Sequence, residues 1–266
     1  MIKLVTLDLD GTTLDSNRLI SQENIHAVRE ARARGVVVAI ATGRMHSTAV
    51  AVSAPLGSDL PIASYNGAWV RMSATGPELL RMPVPVEEGR RIVRLLSDWG
   101  LVFHAYFDDV MYAVRKSQPT SDYEAKYASV ARILPDLEEF ASRESMKYLV
   151  LDTEERILAI EPMIRQMAGP SLNVMRSQPG LLEIVNARAS KGAALEHLAA
   201  SLGISISETM AIGDSENDID MLKAAGISVA VANASPTVKA VADHVTASND
   251  DNGVAAAFRR FGLCGA

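Results

Sequence analysis

The sequence predicts an α/β protein: a doubly wound, Rossmann-like parallel sheet that carries an inserted α+β unit. Two observations support this prediction. At both ends of the chain, short apolar segments alternate with helical patterns, which is typical of parallel strands covered by helices on both faces. In the middle, over residues 84–187, hairpin patterns replace that alternation.

The N-terminal part of the chain begins with an apolar strand over residues 3–8. Ser21 is a suitable N-cap for a helix that ends at Gly35. The β-branched segment 36–41 follows as a strand buried on both faces, and residues 62–65 form a third short strand.

The C-terminal part repeats the same order of elements. The pattern predicts helix 191–201, strand 209–212, helix 217–225 and strand 227–231. A further helix begins at Ser235-Pro236, because proline is favoured directly after a capping serine.

The middle of the chain is expected to form a separate unit. A hairpin over residues 69–82 precedes it, and its own elements are a helix and four strands, over 86–99, 103–106, 111–114, 146–151 and 181–185. We therefore predict a core domain over residues 1–83 and 188–266 and an inserted cap domain over residues 84–187.

Composition limits the classes of function. The net charge of −6 over 266 residues argues against a general nucleic-acid or membrane-surface role. The single cysteine, Cys264, cannot form an internal disulfide. The sequence shows no signal-peptide pattern and no apolar segment near the ~20 residues that span a bilayer. We expect a cytoplasmic protein, a monomer or small homo-oligomer, with no nucleic-acid or membrane partner.

Two carboxylates end the first strand. Asp8 and Asp10 are two residues apart, so they share one face of an extended chain, and Gly11 allows the chain to turn away. Carboxylates this close repel each other unless a cation or a shared proton offsets their charge. The alternative interpretation is a strand that ends in a solvated Asp-Gly turn.

Two further segments are candidate anion sites. Thr42-Gly43-Arg44 follows the second strand and offers a hydroxyl, an amide and a helix N-terminus. Lys191 begins a helix, where the helix dipole disfavours a cation, so an anionic partner is indicated. Each has a plainer alternative, a common turn for the first and a solvated lysine for the second.

A fourth segment follows the strand that ends near Ile212. Asp214, Glu216, Asn217 and Asp218 place three carboxylates and an amide within five residues, which suits a hard cation such as Mg²⁺. A capped helix start is the alternative. Because ligands bind beyond the carboxyl ends of parallel strands, all four segments are expected to meet at one site.

Together these motifs resemble those of the haloacid-dehalogenase-like phosphotransferase superfamily. Further matches indicate its Cof-like branch, which has a large α/β cap: Asn66-Gly67-Ala68, Glu183-Ile184, Asn233-Ala234, Asn249 and Gly253-Val254. Ser215 stands where this branch often has glycine.

The resemblance implies a Mg²⁺-dependent phosphatase that acts on a small phosphorylated metabolite, by default a sugar phosphate, through an aspartyl-phosphate on Asp8. It implies catalytic roles for Asp8, Asp10, Thr42 and Lys191. It implies substrate-binding roles for Thr42, Gly43, Arg44, Asn66, Lys191 and Asn217, with Asn233 at the rim. It implies metal ligation by Asp8, Asp10 through its main-chain carbonyl, Asp214 and Asp218. The cap is expected to select the leaving group, and Glu183 either to steady the hinge or to face the substrate.

Three alternatives remain, and the complete set of reacting groups argues against one of them, a non-catalytic ligand-binding descendant of this family. A sugar phosphomutase would use the same fold and the same aspartyl-phosphate. A receiver-like signalling domain also places an aspartate, a hydroxyl and a lysine around Mg²⁺, but it needs neither Asp10 nor the inserted unit.

Overall fold

The structure is a computed structural model that describes residues 1–127 and 129–265. The strands, in chain order, are β1 Leu4–Leu7, β2 Val37–Ala41, β3 Ile62–Ser64, β4 Trp69–Arg71, β5 Glu78–Arg81, β6 Val102–Phe107, β7 Val110–Ala113, β8 Arg132–Ile133, β9 Tyr148–Leu151, β10 Leu172–Gln178, β11 Leu181–Asn186, β12 Thr209–Gly213, β13 Ile227–Ala230 and β14 His244–Val245. The α-helices are α1 Gln22–Ala33, α2 His46–Ser53, α3 Val86–Asp98, α4 Gln118–Tyr127, α5 Leu137–Ser142, α6 Glu154–Ala168, α7 Lys191–Ser201, α8 Ile219–Ala224, α9 Pro236–Val241 and α10 Gly253–Arg260. None of the described helices is long and apolar enough to cross a membrane.

The chain divides into two compact units. The first comprises Met1–Arg81 and Ser190–Ala266, and the second comprises Met82–Ala189. The sequence predicts these boundaries after residue 83 and before residue 188.

The first unit is built on an eight-stranded sheet in the order β14-β13-β12-β1-β2-β3-β4-β5. The strands from β14 to β3 run parallel, and β4 and β5 are antiparallel additions. Leu7 of β1 is level with Ile212 of β12 on one side and with Ile40 of β2 on the other. These three strands therefore end at one edge of the sheet, as the predicted α/β fold requires.

Burial explains why these segments form strands. All four residues of β1 are buried, as expected where helices cover both faces of a parallel sheet. Ser21 accepts a hydrogen bond from the Asn24 amide, so α1 begins as the sequence predicts. The apolar sides of α1 and α10 pack against each other on this sheet.

The second unit contains a six-stranded sheet in the order β10-β11-β9-β6-β7-β8. All its neighbouring pairs are antiparallel except β7 with β8. Its hydrophobic core joins Val93 and Leu96 of α3, Phe140 of α5 and Ile157 of α6 to one face of the sheet. This is the α+β unit that the sequence predicts.

Several elements differ from the sequence prediction, which did not include the short strands β8 and β14 or helix α10. Strand β10 was not predicted, because only Leu172 and Val174 show the alternating burial of a strand before polar residues interrupt it. The helix expected over residues 217–225 begins instead with a tight helical turn, Glu216–Asp218, and continues as α8. The carboxylate of Asp218 accepts hydrogen bonds from the Asp214 and Ser215 amides, and this caps the turn.

Candidate active site

The site lies where β1, β2 and β12 end. Asp8 directly follows β1 and is only 4% exposed. Its main-chain amide donates to the Ile212 carbonyl, so β1 stays paired with β12 up to this residue. The side chain is therefore held on a rigid strand end rather than on a loop.

Lys191 joins two of the predicted acids. It is the first residue of α7, and it is almost completely buried. Its Nζ donates to Asp8 Oδ1 and to Asp218 Oδ1, each at 2.6 Å. A lysine that the helix dipole disfavours is thus balanced by two buried carboxylates.

Three carboxylates gather at the edge of the sheet. Single oxygens of Asp8, Asp214 and Asp218 lie within 4.8 Å of one another. Gly11 has a φ of +81°, and a Cβ there would lie 2.6 Å from Asp214 Oδ2, so only glycine allows this close approach.

The electrostatics of this cluster favour a cation. Burial raises the pKa of Asp8 well above its ordinary value, and the charges of Asp218 and Asp214 raise it further, while Lys191 opposes them. Burial and Asp218 likewise raise the pKa of Asp214. Burial alone would lower the pKa of Lys191, but the charges of Asp218 and Asp8 outweigh it and raise that pKa. One lysine thus faces three carboxylates, and these oxygen-only donors suit a hard divalent cation.

The side chain of Asp10 is paired with Arg44. Arg44 Nε donates to Asp10 Oδ2 at 2.7 Å, and its Nη2 donates to Oδ1 at 2.6 Å. This fork geometry is the strong form of a carboxylate–arginine pair. The Asp10 side chain is outside the three-carboxylate group, which leaves its main-chain carbonyl as the predicted metal ligand.

The predicted phosphate-binding residues lie beside this cluster. Thr42 is buried directly after β2, and its Oγ1 accepts from the Arg44 amide at 3.2 Å. Asn66 is also buried, and its Oδ1 accepts from Asn217 Nδ2 at 2.9 Å. Gly43 lies close to the same side chain, because a Cβ added to this glycine would be 3.1 Å from Asn66 Oδ1. Segments that follow β2, β3 and β12 therefore meet at this edge of the sheet.

Two residues take part in the site without a predicted role. Thr12 Oγ1 and Ser215 Oγ donate to the two oxygens of Asp214, each at 2.8 Å. Together they fix the orientation of that carboxylate. The available signal was a hydroxyl next to each acidic motif, and Ser215 in particular occupies a position where glycine was expected.

Glu183 lies in the second unit, on β11. It forms an ion pair with Lys147 at 3.1 Å, and both side chains are more than nine-tenths buried. Lys147 Nζ also lies over the ring of Tyr106, at 5.0 Å from its centroid. The predicted roles of Glu183 at the hinge or toward substrate stay predictions.

Comparison with known proteins gives consistent matches along the chain. Residues 5–258 match the model of a family described as haloacid dehalogenase-like hydrolase. The Bacillus subtilis 5-amino-6-(5-phospho-D-ribitylamino)uracil phosphatase YcsE is 32% identical over 98% of this chain and 96% of its own.

Solved structures agree with these matches. A crystal structure from Thermotoga maritima superposes with a TM-score of 0.88 at 30% identity, covering 98% of this chain and 97% of that one. A sugar phosphatase described as haloacid dehalogenase subclass IIB superposes with a TM-score of 0.85 at 25% identity, covering 98% and 99% of the two chains.

Proposed function

The chain belongs to the haloacid dehalogenase-like hydrolase family and is a phosphatase of its Cof-like branch, and from this premise we propose that it hydrolyses a small phosphate monoester through an aspartyl-phosphate on Asp8. The observation that carries the proposal is the buried Asp8 carboxylate, ion-paired to Lys191 at 2.6 Å inside a group of three acids. A rigid, buried carboxylate next to a fixed cation is suited to nucleophilic attack on phosphorus.

The first step assigned to Asp8 is in-line displacement. Lys191 occupies Oδ1, so we assign the attack to Oδ2. The new bond joins Oδ2 to phosphorus as the bond from phosphorus to the leaving oxygen breaks. In the second step, water attacks the same phosphorus and regenerates the free carboxylate.

Asp10 is the candidate acid and base for these steps. It would protonate the leaving oxygen and later take a proton from the attacking water. Both of its oxygens accept hydrogen bonds from Arg44 in the structure, so this role requires Arg44 to release at least one of them. Substrate phosphate is an anion to which the released Arg44 N–H groups can donate.

The remaining polar groups are suited to bind the phosphoryl oxygens. Thr42 offers a hydroxyl, Gly43 an amide, and Lys191 a charge that reaches the same edge. Charge that builds up on these oxygens is stabilised most strongly where the donors are fixed before the reaction.

The acids fit a magnesium ion. Asp8, Asp214 and the Asp10 carbonyl would hold it, with Asp218 orienting the cluster through Lys191 and two main-chain amides. When bound, a divalent cation offsets the repulsion between the Asp8 carboxylate and the phosphate.

The substrate class that we propose is a sugar phosphate. A structural relative at 25% identity is a sugar phosphatase, whereas the B. subtilis relative is named for a phosphorylated ribitylamino uracil. Both named substrates carry a phosphorylated polyhydroxyl chain or ring, and this shared chemistry supports the proposal.

The proposal is tested by phosphate release from sugar phosphates, nucleotides, pyridoxal phosphate and p-nitrophenyl phosphate, with and without Mg²⁺. Wild type should release phosphate only with Mg²⁺, and Asp8→Asn should lower the rate by more than about a thousandfold because the nucleophile is lost. Asp98→Asn, an exposed aspartate at the end of α3, is the matched control and should keep full activity.

Two results would contradict hydrolysis. Transfer of phosphate within a hexose phosphate, without release, would identify a mutase. A stable phosphate on Asp8 without turnover would identify a signalling domain.

A further inference from the structure

A strained turn follows β3. Tyr65, Asn66 and Gly67 adopt left-handed backbone conformations in succession, with φ values of 52°, 55° and 89°. Tyr65 and Asn66 are at most 1% exposed. A bulky residue with positive φ is a genuine outlier, and such strain persists only where surrounding contacts enforce it.

Main-chain hydrogen bonds fasten this turn to the loop that follows β2. The Tyr65 amide donates to the Arg44 carbonyl, and the Asn66 amide donates to the Thr42 carbonyl, each at 2.9 Å. The left-handed conformation of Tyr65 turns the chain after the first of these bonds, so that the next amide, that of Asn66, is directed toward the same neighbouring loop.

The turn also touches two further segments of the site. Asn66 Oδ1 accepts from Asn217 Nδ2, which ties it to the segment that follows β12. A Cβ on Gly67 would lie only 2.2 Å from the carbonyl oxygen of Ser190, the residue that caps the helix of Lys191. One three-residue turn is therefore in contact with the segments that carry Thr42, Lys191 and Asn217.

We propose that the turn Tyr65–Gly67 is a brace that sets the relative positions of these three segments, and that Asn66 is a positioning residue for phosphoryl transfer. Asn66 acts through Gly43 and Asn217 and not by binding the substrate. This inference rests on the proposed function, because it assigns the brace to the same reaction.

The brace predicts a particular kinetic signature. Asn66→Gly removes the side-chain amide but keeps the main-chain amide, and glycine readily adopts the left-handed backbone conformation. Its main effect should therefore be misplacement of the loops. We expect kcat to fall about tenfold to a hundredfold, as small displacements of reacting groups do, with little change in KM. Asn252→Gly is the matched control: Asn252 has a φ of 59° in the same unit, its side chain donates to Glu23, and kcat should not change.

A double-mutant cycle with Asn217→Ala tests whether Asn66 acts through its partner. Asn217→Ala alone should lower kcat, and adding Asn66→Gly should cost less than it does in wild type, because the shared hydrogen bond is already lost. If Asn66→Gly does not fold, Asn217→Ala alone still tests the brace, since an unchanged kcat in that variant would overturn it.

The remaining outcomes separate this inference from the proposed function. A raised KM with unchanged kcat for Asn66→Gly would overturn the brace, because it would show that Asn66 binds the substrate. A lower melting temperature with unchanged kcat and KM would also overturn it, since the turn would then be structural only. If the wild-type protein shows no phosphate release that depends on Mg²⁺ and on Asp8, that result would instead contradict the proposed function itself.

Discussion

At the residue scale, a single buried lysine donates hydrogen bonds to two carboxylates, and a third carboxylate lies beside them. Lys191 donates to Asp8 and Asp218, and Asp214 adds further negative charge to the cluster. Burial, together with the neighbouring carboxylates, raises the pKa of Asp8, and the charges of Asp218 and Asp8 raise the pKa of Lys191, with opposite consequences for stability. Folding therefore favours the neutral, protonated form of Asp8 and the charged, protonated form of Lys191. At pH 7 the first preference opposes the ionised aspartate, whereas the second supports the charged lysine.

These directions predict opposite effects of two substitutions on the free energy of unfolding. Because the pKa of Asp8 is raised in the folded protein, ionised Asp8 opposes folding above its unfolded pKa, near 3.9. Asp8→Asn should therefore stabilise the metal-free protein at pH 7 by about 0.5–2 kcal/mol while abolishing activity. The gain should disappear below about pH 4, where the acid is protonated in both states.

Lys191→Met should act in the other direction. The raised pKa of Lys191 contributes stability that is fully present below its unfolded pKa, and therefore at pH 7. Its loss leaves buried carboxylates unpaired and should cost about 3–5 kcal/mol in urea unfolding with EDTA. Lys223→Met, an exposed lysine on α8, is the control, and an equal loss there would contradict the electrostatic argument.

At the element scale, two asparagines fasten the loop that carries Asp10 to the C-terminal part of the chain. Asn233 Nδ2 donates to the Gly11 carbonyl at 2.7 Å, and Asn249 Nδ2 donates to the Leu14 carbonyl at 2.9 Å. The main-chain amide of Asn249 in turn donates to Asn233 Oδ1 at 2.9 Å. The loop after β1 is thus held at two carbonyls by a connected pair of side chains.

This strap predicts the effect of Asn249→Ala. The substitution leaves the Leu14 carbonyl without its side-chain donor at a site where Asn249 is 8% exposed. We expect a loss of about 1–3 kcal/mol in the free energy of unfolding, measured by urea denaturation. Asn17→Ala, an exposed asparagine near the same loop, should change it by less than about 0.5 kcal/mol. Equal effects of the two substitutions would show that the strap has no special role.

At the scale of the whole molecule, local signals were sufficient for the fold class but not for every strand or for the pairings within the site. Ser21, Ser190 and Ser235 each cap the helix that the sequence predicts, because a cap depends on residues close in the chain. The pairing of Asp10 with Arg44 spans 34 positions and that of Asn66 with Asn217 spans 151, so no local pattern reports them. Parallel topology explains why the motifs could still be assigned to one edge.

The second unit buries a titratable group that should make the stability of the molecule sensitive to acid. His104 is completely buried on β6, and its Nε2 lies 3.0 Å from Thr120 Oγ1. Burial lowers the pKa of His104 to about 4, with a smaller contribution from the charge of Lys147. The unfolded chain has an ordinary histidine pKa near 6.5, so it binds more protons than the folded protein between these values.

It follows that the stability contributed by neutral His104 is present above pH 6.5 and is lost as the pH falls toward 4. Between pH 7 and pH 5 this linkage amounts to about 2 kcal/mol in the free energy of unfolding. His104→Gln should be less stable than wild type at pH 7, because it disturbs a packed site, but its stability should decline less between those two pH values. His26→Asn, which replaces a histidine whose side chain is 83% exposed, should retain the wild-type decline. Urea unfolding of the three proteins at both pH values measures this difference, and an equal decline in all three would show that protonation of His104 does not limit acid stability.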